Sequence, residues 1–564
     1  MIGAIWTQNY TPIGDSVWLS ALVALVPIIF FLVTLGVLRW KAHVAGFCTA
    51  VLSAIIAILV FKMPVASAVM AGVNGFLYGL WPIAWIIICA VFLYKLSVNS
   101  GQFDIIRDSI LSITEDQRIL VILVGFCFGS FLEGAAGFGA PVAIAAALLA
   151  GIGLKPLYAA GLCLVANSAP VCFGALGVPI ITAGSVTGID ATLIGQQAAN
   201  QLAILSLVVP LFIVFLMDGL RGIRECWPAA IVAGVSFAAA QLVSAHVFGP
   251  QLPSIISAVV SLLCMVLLLR VWKPKHIYTI EEAAKEAGEE VKAGALADLQ
   301  HHSAGTIVRA WSPFLLLIVF VIIWTNKGFK ALFAPAADGV AAGPLAGTVL
   351  TFKMPGLHEM VQQAQPIGDA VLPAVFKLDI ISGTGTAIFL AAIATVFVYG
   401  MGASKAIDTF KETINEMKWA IVNIGCVLAF AYVMNFSGMA STMALALAST
   451  GALFPFISPL IGWVGVFLTG SDTSANALFC GLQATTANQV GVSDVLLVAA
   501  NSSGGVTGKM ISPQSMAIAC AAVGMVGKES ELLRYTIRFS FLFALLICIV
   551  NGLFAYVLPF AVVG

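Results

Sequence analysis

Three charged residues stand deep in otherwise apolar sequence: Glu133, Asp472 and Lys509. Charge inside a bilayer is expensive and marks a functional position by default. A buried cation suits a small monovalent anion, so Lys509 is the candidate counter-charge for a substrate carboxylate, directly or through water. The competing reading makes it a structural partner of Glu133 or Asp472. Glu133 and Asp472 are candidates for carrying a coupled proton, because burial and a nearby Lys move a carboxyl group's ionisation in opposite directions. Either acid could equally cap helix N-termini.

These residues lie in two related stretches. Phe131-Leu132-Glu133-Gly134 is followed by Gly137 and Gly139, then by Asn167-Ser168 and Pro179; Phe467-Leu468-Thr469-Gly470 is followed by Ser471, Asp472, Thr473 and Ser474, then by Asn501-Ser502-Ser503 and Pro513. Ser100-Gly101 and Ser437-Gly438 extend the correspondence upstream at nearly the same offset, so the chain carries an internal repeat. Glycines at such positions let backbone approach a ligand closely. Helix N-termini add N–H groups and partial positive charge, and Asn and Ser side chains add neutral donors. Gly137, Gly139, Asn167, Ser168, Ser471, Thr473, Ser474, Asn501, Ser502, Ser503 and Lys509 are accordingly the expected substrate-binding set, with Glu133 and Asp472 as proton-coupling residues. The plainer alternative is that Gly, Ser and Asn serve tight helix packing.

The elements that position these groups must be transmembrane helices. Of 564 residues, 61% are apolar and 9% charged, with a mean hydropathy of +1.06. The apolar runs are continuous instead of alternating, which favours helices over barrel strands. Spans are expected at about 17–38, 44–61, 81–98, 198–217, 227–247, 252–271, 311–326, 380–400, 419–436 and 536–560. Met1 to Ser16 carries neither Lys nor Arg and does not read as a secretory signal. The eleven cysteines are scattered singly and read as space-filling thiols. Six histidines fall in loops or at span ends, and neither a Walker motif nor zinc-protease spacing is present, so no cofactor or metal is expected. Zero formal net charge gives no reason to expect a nucleic-acid partner.

Lys and Arg favour cytoplasmic loops. Of the 26 in the chain, only Lys62, Lys327, Lys330, Lys353 and Lys377 fall outside on a consistent tracing, which puts both termini outside. Parity then requires an odd number of crossings in each motif region. The solution is a hairpin at 119–152 turning near Glu133 to Gly139 and a crossing segment at 156–185 broken at Asn167 to Pro170. The second copy mirrors it, with a hairpin at 457–488 and a segment at 490–522 broken near Asn501 to Gly505. About twelve transmembrane helices and two re-entrant hairpins result. They are divided into repeats at 1–225 and 311–564 of opposite orientation, joined at 226–310 by two helices and a charged cytoplasmic linker, an arrangement common in secondary transporters. Lys327 to Phe376 is an outside insertion with no convincing span.

At these residues the sequence resembles the lactate permease family, which includes close glycolate permeases. The resemblance rests on Gly79-Leu80-Trp81-Pro82, Ser100 to Arg107, Phe131 to Pro141, Lys155 to Gly161, Leu468 to Ala477 and Val498 to Ser515, and runs over essentially the whole chain. It implies a bacterial inner-membrane protein that takes up L-lactate, D-lactate or glycolate with a proton. The sequence does not fix its oligomeric state. Two alternatives are a sodium-coupled carboxylate transporter, using freed carbonyls at helix breaks, and a membrane-integrated enzyme, for which no nucleophile with a base is evident.

Overall fold

The structure, a computed structural model, describes residues 5–137, 139–279, 300–336 and 341–564. Most of the expected charged connector, Lys275 to Gln300, therefore lies outside the described residues. The chain opens with helices α1 (Val17–Gly36), α2 (Ala42–Leu59) and α3 (Val65–Asn99). The third begins well before the expected 81–98 span and bends at Trp81, whose extended backbone (φ −136°, ψ 124°) is the conformation a residue preceding proline prefers. After the short α4 (Gln102–Leu111) come α5 (Gln117–Ala135) and α6 (Ala140–Gly151), then α7 (Pro156–Ala166) and α8 (Gly174–Thr187). Next is α9 (Ala191–Phe248), which doubles back at Asp218–Gly219. Its two arms lie side by side, with Ser206 Oγ donating to Gln241 Oε1 at 2.9 Å. Then follow α10 (Pro253–Val271), α11 (Ala304–Thr325), α12 (Thr384–Tyr399) and α13 (Ala403–Ser437). The last part holds α14 (Met439–Ala448), α15 (Phe454–Thr469), α16 (Asp472–Val490), α17 (Asp494–Lys509), α18 (Pro513–Ala522) and α19 (Glu529–Tyr556).

Among the described residues ten helices are long and apolar enough to cross a bilayer, eleven with the bent pair α7–α8. The difference from the expected twelve comes partly from α9, where two spans merge, and from α12, whose 16 residues make it short. Large apolar side chains remain exposed on the outer helices, for example Leu22, Phe47 and Leu59. Lipid, being as apolar as they are, gives them no reason to turn inward.

The insertion after α11 carries structure that the sequence reading did not anticipate. Leu350–Lys353 pairs antiparallel with Val375–Leu378, and Trp6–Thr7 pairs parallel with Val361–Gln362. The N-terminal segment and the insertion therefore share one face of the molecule. Gln8 reaches from there to the end of α13, donating from Nε2 to the carbonyls of Asn435 (3.0 Å) and Phe436 (2.9 Å).

Matching devices recur in the two motif regions. Gly101 and Gly438 both adopt left-handed backbone, at φ 77° and 82°, and each introduces a ten-residue helix. The α5–α6 and α15–α16 pairs are each separated by only a few residues, α5 ending at Ala135 and α6 beginning at Ala140, with Gly470–Ser471 between α15 and α16. Gly139 and Gly470 again take positive φ, where a Cβ is strained. A buried cluster fixes the start of α5: Arg118 contacts Asp116 at 2.8 Å, Asp218 at 2.7 Å and Glu225 at 2.9 Å. The base of the first hairpin is thereby tied to the bend of α9.

The two segments expected to cross differ. The first bends after Ala166, where α7 ends, and the stretch Val171–Thr187, which contains α8, departs at 69°. Ala175 and Leu176 take φ of 43° and 58°, costly for residues with a Cβ. The second is not broken at Asn501 to Gly505. Helix α17 runs through Asn501, Ser502, Ser503, Gly504 and Gly505 to Lys509, and the interruption falls at 510–512, before Pro513. Packing overrides the low helix propensity of this stretch. A Cβ on Gly504 would lie 2.0 Å from the Pro459 carbonyl oxygen, and one on Gly508 2.3 Å from that of Trp463. These two glycines thus serve close approach of α17 to α15, the packing role weighed against ligand contact. Gly504→Ala is expected to force the helices apart, at about 1–3 kcal/mol for overpacking. A lower thermal unfolding midpoint in detergent is the check, and an unchanged midpoint would contradict the tight contact.

Candidate functional site

The ends of α5, α8, α16, α17 and α18 converge on a cavity of about 60 Å³. That is room for a few water-sized groups. Lys509, the last residue of α17, extends its ammonium to Glu133 on α5, with Nζ to Oε1 at 2.7 Å. Both side chains are buried, Lys509 at 8% and Glu133 at 2% exposure. The other oxygen of Glu133 accepts from Asn167 Nδ2 at 3.1 Å. Gly174 gives the carboxylate its place, since a Cβ there would fall 2.7 Å from Glu133 Oε1.

Asp472 opens α16 directly after the left-handed Gly470 and the capping Ser471, whose Oγ accepts from the Ser474 N–H at 3.3 Å. Asp472 is buried. Its Oδ2 accepts from Ser502 Oγ at 3.0 Å, while Oδ1 has no hydrogen-bond partner. Gly505 makes room for it, a Cβ there falling 2.6 Å from Oδ1. The cavity thus holds one cation, one carboxylate paired to it, and a second carboxylate with no cation in contact.

Of the thirteen residues singled out in the sequence, Glu133, Gly137, Gly139, Ser471, Asp472, Thr473 and Lys509 line this cavity. Asn167 stands one hydrogen bond behind, through Glu133, and Ser502 one behind, through Asp472. Asn501 is turned away: it donates to Asn476 Oδ1 at 2.9 Å and accepts from Gln483 Nε2 at 3.3 Å. Asn167 and Asn501 therefore do not face a shared space, because α17 stays helical where α7 stops. Ser168 bonds back to the Val165 carbonyl, Ser503 donates to Gln201 on α9 at 2.7 Å, and Ser474 lines a neighbouring cavity.

Sequence reasoning missed Gln514, Ser515, Gly174 and Ile518, which also line the cavity. The polar pair Gln514-Ser515 directly follows Pro513, the residue that the repeat itself marks, and that was the available signal. Gly174 lies seven residues after Asn167 and Ile518 three after Ser515, but their residue types gave no sign of a place in the wall.

The L-lactate permease family model matches residues 20–558. The glycolate permease GlcA of Escherichia coli K12 is 59% identical over 98% of this chain and 98% of its own length. The L-lactate permease of the same strain is 53% identical over 99% of this chain and 100% of its own, and that of Bacillus subtilis 48% over 98% and 100%. Among solved structures the chain is similar to Neisseria gonorrhoeae MtrF, described as illuminating a class of antimetabolite efflux pumps. That match has a TM-score of 0.49 and 13% identity over 93% of this chain and 97% of that one, too distant to carry an argument. The chain belongs to the L-lactate permease family, membrane transporters and not enzymes.

Proposed function

We propose that this protein takes up a small 2-hydroxymonocarboxylate, L-lactate, D-lactate or glycolate, in symport with a proton across a bacterial inner membrane, with both termini outside. The observation that carries the reading is the inventory of buried charges at this cavity: Lys509 paired with Glu133, and Asp472 without a cation in contact. A neutral ion pair can admit an anion only if the remaining carboxylate does not repel it. Two unit charges about 5 Å apart at an effective dielectric of about 20 interact by about 3 kcal/mol. Protonating Asp472 removes that repulsion, so anion and proton enter together and the loaded carrier gains no net charge. L-lactate and glycolate rest on the names of the relatives, which include both a glycolate and an L-lactate permease, and D-lactate on the family resemblance alone.

The matched glycine caps and ten-residue helices support repeats at 1–225 and 311–564, and the Lys and Arg distribution supports their inversion, with the hairpins at 119–152 and 457–488 entering from opposite faces. In this arrangement Glu133 and Lys509 reach the cavity from the two sides. Lys509 meets the substrate carboxylate, Asn167 holds Glu133, and Ser502 holds Asp472. Ser471, Thr473 and the backbone at Gly137 and Gly139 supply the neutral groups.

The test is uptake of labelled L-lactate and glycolate into proteoliposomes. A proton gradient alone is expected to drive accumulation and a sodium gradient alone to leave it at equilibration. Accumulation under sodium alone would overturn the proton assignment.

A further inference from the structure

A second cavity, of about 500 Å³, adjoins the first, and Ser471, Thr473 and Gln514 belong to the walls of both. Its walls also include Asn423, Lys41, His43 and Trp419, and the exposed Lys41 and Trp419 mark its mouth. Lys41 lies in the exposed connection between α1 and α2, and the rings of His43 and Trp419 stack with centroids 4.3 Å apart. The Gln514 side chain rests on the turn of the second hairpin, where a Cβ on Gly470 would come within 2.5 Å of its Oε1. Deeper in the wall, Asn423 Oδ1 is buried without a hydrogen-bond partner.

On the opposite face α13 is tied to the end of α8 and to the N-terminal segment. Tyr432 donates from its hydroxyl to the Ser185 carbonyl at 3.0 Å, Asn435 Nδ2 donates to the Val186 carbonyl at 3.2 Å, and Gln8 covers the end of α13. The mouth, by contrast, lies on the face that carries Arg39, Lys41, Lys405, Lys411 and Lys418, which is the cytoplasmic one by the distribution of positive charge.

We infer that this second cavity is the cytoplasmic vestibule of the transport path, through which the carboxylate passes between Gln514 and the Ser471–Thr473 turn and leaves past Lys41. The inference rests on the transport reading given above. A positive group at the mouth of a low-dielectric cleft raises the local concentration of small anions, which suits Lys41 to collecting carboxylates there.

The test is an Asn423→Cys variant exposed to a membrane-impermeant, sulfonate-bearing thiol reagent. The parent protein, whose Cys48 and Cys264 are partly exposed, sets the background. Labelling is expected to be at least about tenfold faster in inside-out than in right-side-out vesicles, since access of the reagent to the thiol sets the rate. Modification is expected to abolish L-lactate counterflow by blocking the path. Faster labelling from outside, or complete modification with counterflow unchanged, would overturn the inference. If Asn423→Cys fails to reach the membrane, Ala420→Cys on the same wall carries the test. Absence of counterflow in the unmodified parent would count against the transport reading, while the sidedness of labelling would still decide for or against the vestibule.

Discussion

Lys509→Met is expected to abolish L-lactate binding and counterflow together. The variant removes the cavity's one cation, and a hydrogen bond to a charged group contributes roughly 1.5–3 kcal/mol, so affinity should fall about 10- to 150-fold. The same change leaves Glu133 buried with Asn167 as its remaining contact. Breaking a buried pair from one side costs about 3–5 kcal/mol, so lost transport alone would not separate a binding role from a folding role. The double variant Glu133→Gln with Lys509→Met separates them. It leaves neither member of the pair charged, so its thermal unfolding midpoint should return towards that of the parent while binding stays lost. Binding measured by calorimetry in detergent and melting by intrinsic fluorescence are the two readouts. If the double variant recovers both stability and lactate affinity, Lys509 is only the structural partner of Glu133.

Asp472→Asn is expected to keep counterflow of labelled substrate and to lose accumulation driven by a pH gradient. Counterflow needs the loaded carrier to reorient but no net proton movement, whereas accumulation needs the empty carrier to return after releasing its proton. The geometry favours Asp472 over Glu133 for this role. Glu133 is held by Lys509 at 2.7 Å, while Asp472 keeps Oδ1 unpartnered and takes its one hydrogen bond from the Ser502 hydroxyl. A carboxamide at this position retains an oxygen to accept from Ser502 and carries no charge, so it imitates the protonated state permanently. Glu133→Gln should instead weaken counterflow and accumulation together, because it frees Lys509 from its partner. Paired counterflow and pH-driven uptake in proteoliposomes decide between them. Normal accumulation by Asp472→Asn would place the proton elsewhere.

The sequence by itself determined the class of molecule and the three charged residues. Both follow from free-energy costs that hold wherever the residue sits: continuous apolar runs must be buried in lipid as helices, and a charge among them must have a use. The matching turns at Gly101 and Gly438 were equally legible, since both answer to a local demand for left-handed backbone that a residue type alone reveals. What the tertiary structure decided was partnership. The same Asn-Ser signature precedes a break in one copy and sits within a continuous helix in the other, because Gly504 and Gly508 let α17 press against the carbonyls of Pro459 and Trp463. A Gly-rich stretch is permissive of either outcome, and only the neighbouring helix selects. For the same reason Asn501 faces other amides while Asn167 supports Glu133, although their positions in the repeat correspond. The Lys509–Glu133 pair joins residues 376 positions apart, and Gln514 meets the Gly470 turn across a helix boundary. No periodicity encodes such meetings. They follow from how five helix ends close around one small cavity.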